Sequence, residues 1–122
     1  VSESPLAPPL GGTRWLLAEL GDERVPPSEP GRAPYLVLEP EEARVYGSGG
    51  CNRLMGPIEL EGDGLRFGPL ATTLMHCGDE AMALERAFLD ALEATRTYSL
   101  EGATLVLLGD GHVVLARLQA AI

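Results

Sequence analysis

The sequence predicts an α+β domain that is mostly β: a strongly curved antiparallel sheet or partly open barrel of about eight strands, with one helix over residues 79–95. Three observations predict it. Fifteen Gly and ten Pro break the chain at short intervals, which suits short strands and tight turns better than long helices. Between the breaks lie short apolar or alternating runs with the two-residue period of a pleated strand. A single segment carries a convincing 3.6-residue period.

TRWLLAEL (Thr13–Leu20) reads as the first strand, apolar on both faces around Trp15, Leu16 and Leu17 and so central or covered on both sides. GDERVPPSEPGR is a Pro-rich, acidic, solvated loop. YLVLEP (Tyr35–Pro40) and ARVYGS (Ala43–Ser48) form a hairpin across Glu41 and Glu42. A second hairpin turns at Gly62-Asp63-Gly64, between Ile58/Leu60 and Leu65/Phe67, because Gly and Asp tolerate the positive φ of a tight turn. TTLMHC (Thr72–Cys77) is taken as a strand, with Thr73, Met75 and Cys77 on one face and Thr72, Leu74 and His76 on the other. The helix follows, with Asp79 expected to cap the free amides and Glu80 to favour the positive end of the dipole. At 100° per residue Ala81, Leu84, Phe88, Ala91 and Leu92 share an arc, and Arg86, Asp90 and Glu93 lie opposite. TYSLEG, ATLVLLG and HVVLARL make a closing meander, turning at Glu101-Gly102 and at Gly109-Asp110-Gly111. No repeat with a period of 20 to 50 residues stands out.

A length of 122 residues fits one domain over 12–122, preceded by a Pro-rich tether over 1–11 of the kind that separates a domain from an anchor or neighbour. Because the sequence begins at Val1, a preceding segment is expected to have been removed, and a signal peptide is one candidate. No apolar run approaches the roughly 20 residues of a membrane span, so the segment reads as soluble. Nine Arg, no Lys and 18 acidic residues give a net charge of -9 without a basic cluster, which argues against nucleic acid as a partner.

Cys51, in GSGGCNRLMG, and Cys77, in TTLMHC, are the only two cysteines. A zinc site needs four ligands, and His76 and Cys77, adjacent on a strand, point to opposite faces. A Cys51 nucleophile helped by His76 is conceivable, but little beyond Arg53 would depress the thiol's pKa. A disulfide needs only that neighbouring strands bring the two Cα atoms within about 6 Å. Two cysteines without a CxxC spacing favour that bridge, with two buried free thiols as the alternative.

GTRWLL (Gly12–Leu17), GSGGCNRLMG (Gly47–Gly56), LRFGPLATTLMHC (Leu65–Cys77), LERAFLDAL (Leu84–Leu92) and TYSLEGATLVLL (Thr97–Leu108) occur in this order. Together they resemble the META domain of HslJ-like bacterial proteins, over essentially the whole chain after the tether. GCNxxxG followed by TxMxC and ExxFLxAL is specific as a set. The resemblance implies a β-rich domain with a helix, often a lipoprotein, in the periplasm or outer membrane, associated with heat shock and novobiocin resistance and with no established catalytic activity. Carried over by position, the motif residues are Gly50, Cys51, Asn52, Gly56, Thr73, Met75 and Cys77. His76 departs from the family, which more often has a small residue there. The architectural reading gives the glycines close approach or positive φ, Asn52 a turn backbone to bond, and the cysteines the bridge. The functional reading makes Asn52, Arg53, Thr73 and His76 a polar patch where a partner binds.

Other chemistry fades on inspection. Ser48 in YGSGG lacks the first glycine of a nucleophile elbow. Glu59 and Glu61 alternate with Ile58 and Leu60 on what reads as a solvent face. Glu85, flanking the apolar arc, is expected to pair with Arg96 or Arg117. Gly109-Asp110-Gly111 lacks the ligand series of a calcium loop. The sequence therefore predicts a non-enzymatic, monomeric envelope domain without cofactor or metal, acting on an unknown protein or small-molecule partner and meeting a membrane only through an N-terminal lipid anchor. A small-molecule or inhibitor-type binding module is the alternative, and a Cys51-dependent enzyme the third.

Overall fold

The computed structural model describes residues 8–26 and 33–121. Most of the expected tether (1–7) and the second half of the Pro-rich loop (27–32) lie outside the described residues. Ten strands and one helix follow in order: β1 Arg14–Leu20, β2 Glu23–Arg24, β3 Tyr35–Glu39, β4 Arg44–Ser48, β5 Arg53–Glu61, β6 Gly64–Phe67, β7 Ala71–Thr72, α1 Asp79–Ala94, β8 Thr97–Glu101, β9 Thr104–Leu108 and β10 Val114–Ala120. The predicted class holds. The two strands outside the main eight are two residues long: β2, too short to leave a period in the sequence, and β7, which shares only Thr72 with the expected TTLMHC strand.

All strand pairings are antiparallel, and eight strands close a ring in the order β1-β3-β4-β5-β6-β8-β9-β10, with β10 returning to β1. It is not a regular barrel. β6 and β8 share one register pair, Gly64 with Thr97, supported by Leu65 N–H to Arg96 O and Tyr98 N–H to Asp63 O, both 2.9 Å. Gly62 at φ 61° and Gly102 at φ 63° turn two of the hairpins, in a region where a Cβ is strained. Between β3 and β4 a 3₁₀ turn over Pro40–Glu42 ends at Ala43 in the left-handed region.

Alternation along the ring sends Trp15, Leu36, Leu54, Leu65, Leu105, Leu107 and Leu118 inward, and α1 covers them with Phe88 and Leu92. Each large apolar side chain so buried contributes roughly 1.5–3 kcal/mol. The Trp15 indole N–H donates to Leu10 O at 3.0 Å, which satisfies a buried donor and lays Leu10 on the core.

Two local expectations are corrected. Asp79 does not cap α1: Gly78, at φ 101°, holds the cap position, while Asp79 is the first helical residue with its side chain in solvent beside His76. TTLMHC is not a strand beyond Thr72; Thr73 to Gly78 run without regular structure and are exposed throughout. The physical reason is the side chain of Asn52. Its amide gives Met75 N–H an acceptor and Met75 C=O a donor, the two bonds a neighbouring strand would supply.

Candidate functional site

The GSGGCN segment joins β4 to β5 and meets the first turns of α1 at Glu85, which is 4 % exposed. Its carboxylate accepts from Cys51 N–H at 3.2 Å, Asn52 N–H at 2.6 Å and Asn52 Nδ2 at 2.7 Å. Burying such a group is tolerable only because donors replace its water. Gly49 makes room: a Cβ there would stand 2.5 Å from Glu85 Cγ and 2.7 Å from Oε1. Gly47 is required by the neighbouring strand, since its Cβ would fall 2.1 Å from Tyr35 O. The expected pairing of Glu85 with Arg96 or Arg117 is therefore corrected. Arg96 turns to Asp110 at 3.9 Å and Arg117 to Glu19 at 3.4 Å, and Glu85 satisfies backbone donors instead.

Asn52, also 4 % exposed, is the hub. Besides donating to Glu85, it accepts at Oδ1 from Thr73 Oγ1 (2.9 Å) and Met75 N–H (2.6 Å), and Nδ2 donates to Met75 O (3.1 Å). Thr73 N–H donates to Arg53 O, and Arg53 N–H to Thr73 Oγ1, both 3.1 Å. The Cys51–Cys77 disulfide, with Cα atoms 5.8 Å apart, closes the same loop of chain from its far end. Replacing both cysteines by Ala is expected to remove about 3.5 kcal/mol of stability, from the entropy of a 26-residue loop. Urea unfolding of the double variant measures this; an unmoved midpoint would mean that the Asn52 bonds alone close the loop.

The cross-strand register aligns two rows on the outer face of the sheet. One runs Arg14, Val37, Tyr46, Met55, Ala71, and the other Leu16, Tyr35, Ser48, Arg53, with Thr73 beside Arg53. Between them lies an open groove of about 600 Å³ bounded by Tyr35, Tyr46, Arg53, Met55 and Thr73. The Arg14 guanidinium sits 3.8 Å over the Tyr35 ring. Large apolar side chains stand in solvent here and on the adjoining loop: Met55 is 60 % exposed, Met75 54 % and Leu74 95 %. Away from this surface, the hydrogen bond from Arg44 to Glu39 raises the Arg44 pKa above its ordinary value.

Of the residues singled out in the sequence, Asn52 is inside and bonds Thr73, while Arg53 and Thr73 edge the outer groove. His76 stands apart, its Nδ1 accepting from Gly78 N–H at 3.4 Å and its Nε2 3.8 Å from Asp79. Sequence reasoning missed Tyr46, Met55 and Leu74 as surface residues and Glu85 as the partner of GSGGCN. The signal for Glu85 was the invasion of an apolar helix face by one carboxylate.

No group of three His, Cys, Asp or Glu among the described residues is arranged to hold a metal, and no described helix is long and apolar enough to cross a membrane. No curated protein matches the chain. Among solved structures, an NMR structure of a protein from Burkholderia xenovorans is similar at 25 % identity and TM-score 0.73, covering 99 % of this chain and 97 % of that one. A second NMR structure matches at 22 % identity and TM-score 0.66, over 88 % of each chain. A crystal structure of a duf4847 family protein from Bacteroides vulgatus shares the fold at 12 % identity and TM-score 0.62, covering 90 % of this chain and 93 % of that one. The META domain model matches residues 8–121, so the motifs built around Cys51, Asn52, Thr73, Cys77 and Glu85 sit in a match that spans nearly the whole sequence, and the chain belongs to the META domain family.

Proposed function

We propose that this META domain is a non-catalytic, protein-binding unit of the bacterial cell envelope, engaging its partner through the outer face beside the Cys51–Cys77 bridge. The observation that carries the reading is an open groove lined by solvent-exposed Tyr46 and Met55, with exposed Leu74 and Met75 on the segment that continues from its edge at Thr73. Methionine and tyrosine offer large, adaptable apolar contact area, and such side chains standing together in water mark an interaction surface. A groove this open suits a protein surface better than an enclosed small molecule. The bridge favours an oxidising, extracytoplasmic compartment, and it leaves no free thiol on Cys51 for nucleophilic chemistry. Maintenance of the envelope under stress, as the likeness to HslJ suggests, is the role we assign to it.

Site-specific crosslinking in living cells tests the reading. A photoreactive side chain at Met55 is expected to trap a polypeptide in the envelope fraction, whereas the same group at Glu61, on the distant β5–β6 turn, is expected to trap none. Equal labelling from both sites, or labelling from neither, would remove the outer face as the binding surface.

A further inference from the structure

We propose that Thr73–Gly78 is a substrate-like inhibitory loop for a serine endopeptidase with an apolar primary pocket, and that Leu74 fills that pocket; this rests on the protein-binding reading above and names the class of partner. The six residues Thr73–Gly78 are all exposed, and no turn or bend interrupts them. Thr73 to Cys77 all keep negative φ. Endopeptidases take up such turn-free segments as an added strand, with backbone bonds giving affinity and one side chain giving specificity. Leu74, 95 % exposed, is the large apolar side chain offered.

What separates an inhibitor from a substrate is that the segment is fixed before contact and stays fixed after attack. The residues on either side of Leu74 are both anchored. Thr73 is tied through its N–H to Arg53 O and through Oγ1 to Asn52, and Met75 through both its N–H and C=O to Asn52. Two residues on, Cys77 is bonded to Cys51. If a protease serine Oγ adds to the Leu74 carbonyl carbon, the Leu74–Met75 C–N bond breaks, an acyl ester forms, and the Met75 amine leaves with the proton the enzyme's histidine took from the serine. That amine cannot diffuse away, because Asn52 and the bridge hold it in place. It re-attacks the ester at high effective concentration, re-forms the peptide bond and returns the proton to the serine through the histidine. The protease is occupied without net hydrolysis.

The test is titration of the oxidised protein against chymotrypsin and subtilisin, assayed on a chromogenic peptide. Competitive inhibition lasting hours, with the Leu74–Met75 bond intact by mass spectrometry, is the expected result. Leu74→Asp is expected to weaken it roughly 100-fold, through lost apolar burial and a charge in an apolar pocket. Leu74→Arg is expected to transfer inhibition to trypsin, whose pocket carries an aspartate. Both substitutions change a side chain outside the core, and an unchanged unfolding midpoint confirms the fold. The proposal is overturned if the native protein fails to inhibit, if it is cleaved rapidly at Leu74–Met75 and released, or if Leu74→Asp inhibits equally well. Loss of inhibition while crosslinking from Met55 persists removes the protease assignment and leaves the binding surface standing.

Discussion

Glu85→Ala is expected to lower unfolding stability by about 4 kcal/mol, because it strips a buried carboxylate from three donors, of which only Asn52 Nδ2 has a second acceptor, Met75 O. Hydrogen bonds to a charged acceptor are worth about 1.5–3 kcal/mol each, and the donors left behind are worse than unpaired solvent-facing groups because water is excluded. Part of the loss is recovered where Cys51 N–H, the least buried of the three, finds water. Glu85→Gln keeps the shape but turns one oxygen into a donor facing donors, so it should lie between the native protein and Glu85→Ala. Urea unfolding followed by tryptophan fluorescence reads both, since Trp15 is wholly buried. A loss below about 1 kcal/mol for Glu85→Ala would mean the carboxylate is incidental to the fold.

Asn52→Leu is the second large effect, at about 3–4 kcal/mol, with the damage distributed differently. The branching of the side chain is kept, but Met75 N–H and C=O, Thr73 Oγ1 and one oxygen of Glu85 all lose a partner at once. Residues 73–78 should then come loose while Cys77 stays attached to Cys51, so limited proteolysis would cut between Thr73 and Cys77 in the variant well before the core unfolds. Protection equal to the native protein would show that the bridge alone orders the segment. Because Asn52 and Glu85 bond one another, the double variant should lose clearly less than the sum of the two single losses.

The hairpins were legible because each is a local device. Gly62 and Gly102 mark turns that need positive φ, and the alternation on either side needs no distant information. The helix was legible from its phase, and Arg86, Asp90 and Glu93 are exposed as that phase requires. The site was legible in part. The pairing of Cys51 with Cys77 could be weighed from count and spacing, but the roles of Asn52 and Glu85 could not. Glu85 answers backbone amides 33 and 34 residues upstream, and a backbone amide has no letter in a sequence. TTLMHC reads as a strand from its residue types, but past Thr72 its backbone is held by one bond from Thr73 N–H to Arg53 O and by the Asn52 side chain at Met75, partners that no local pattern encodes. The extension of β5 back through Arg53–Gly56 was hidden for a related reason, because Gly56 and Pro57 interrupt the period where the strand passes β7 and the Pro69–Leu70 backbone.

The closure of the ring sets the order in which the molecule can be finished. β1 pairs with β10 from Trp15 with Ala120 to Leu20 with Ala116, and Ala121 N–H reaches back to Arg14 O, so the first and last strands of the ring seal one another. Every other seam in the ring joins segments much closer in sequence. A chain leaving the ribosome from its amino end therefore carries an unsealed β1 until β10 of the ring has been made, with its ladder groups bare on one side. Closing a span of about a hundred residues is slow because its entropy must be lost before any bond is gained. During that interval the open seam is a template for the wrong strand, whether of a neighbouring chain or of the same chain out of register. The hazard in making this ring is therefore greatest in the chain that has all of its strands except the seven-residue β10.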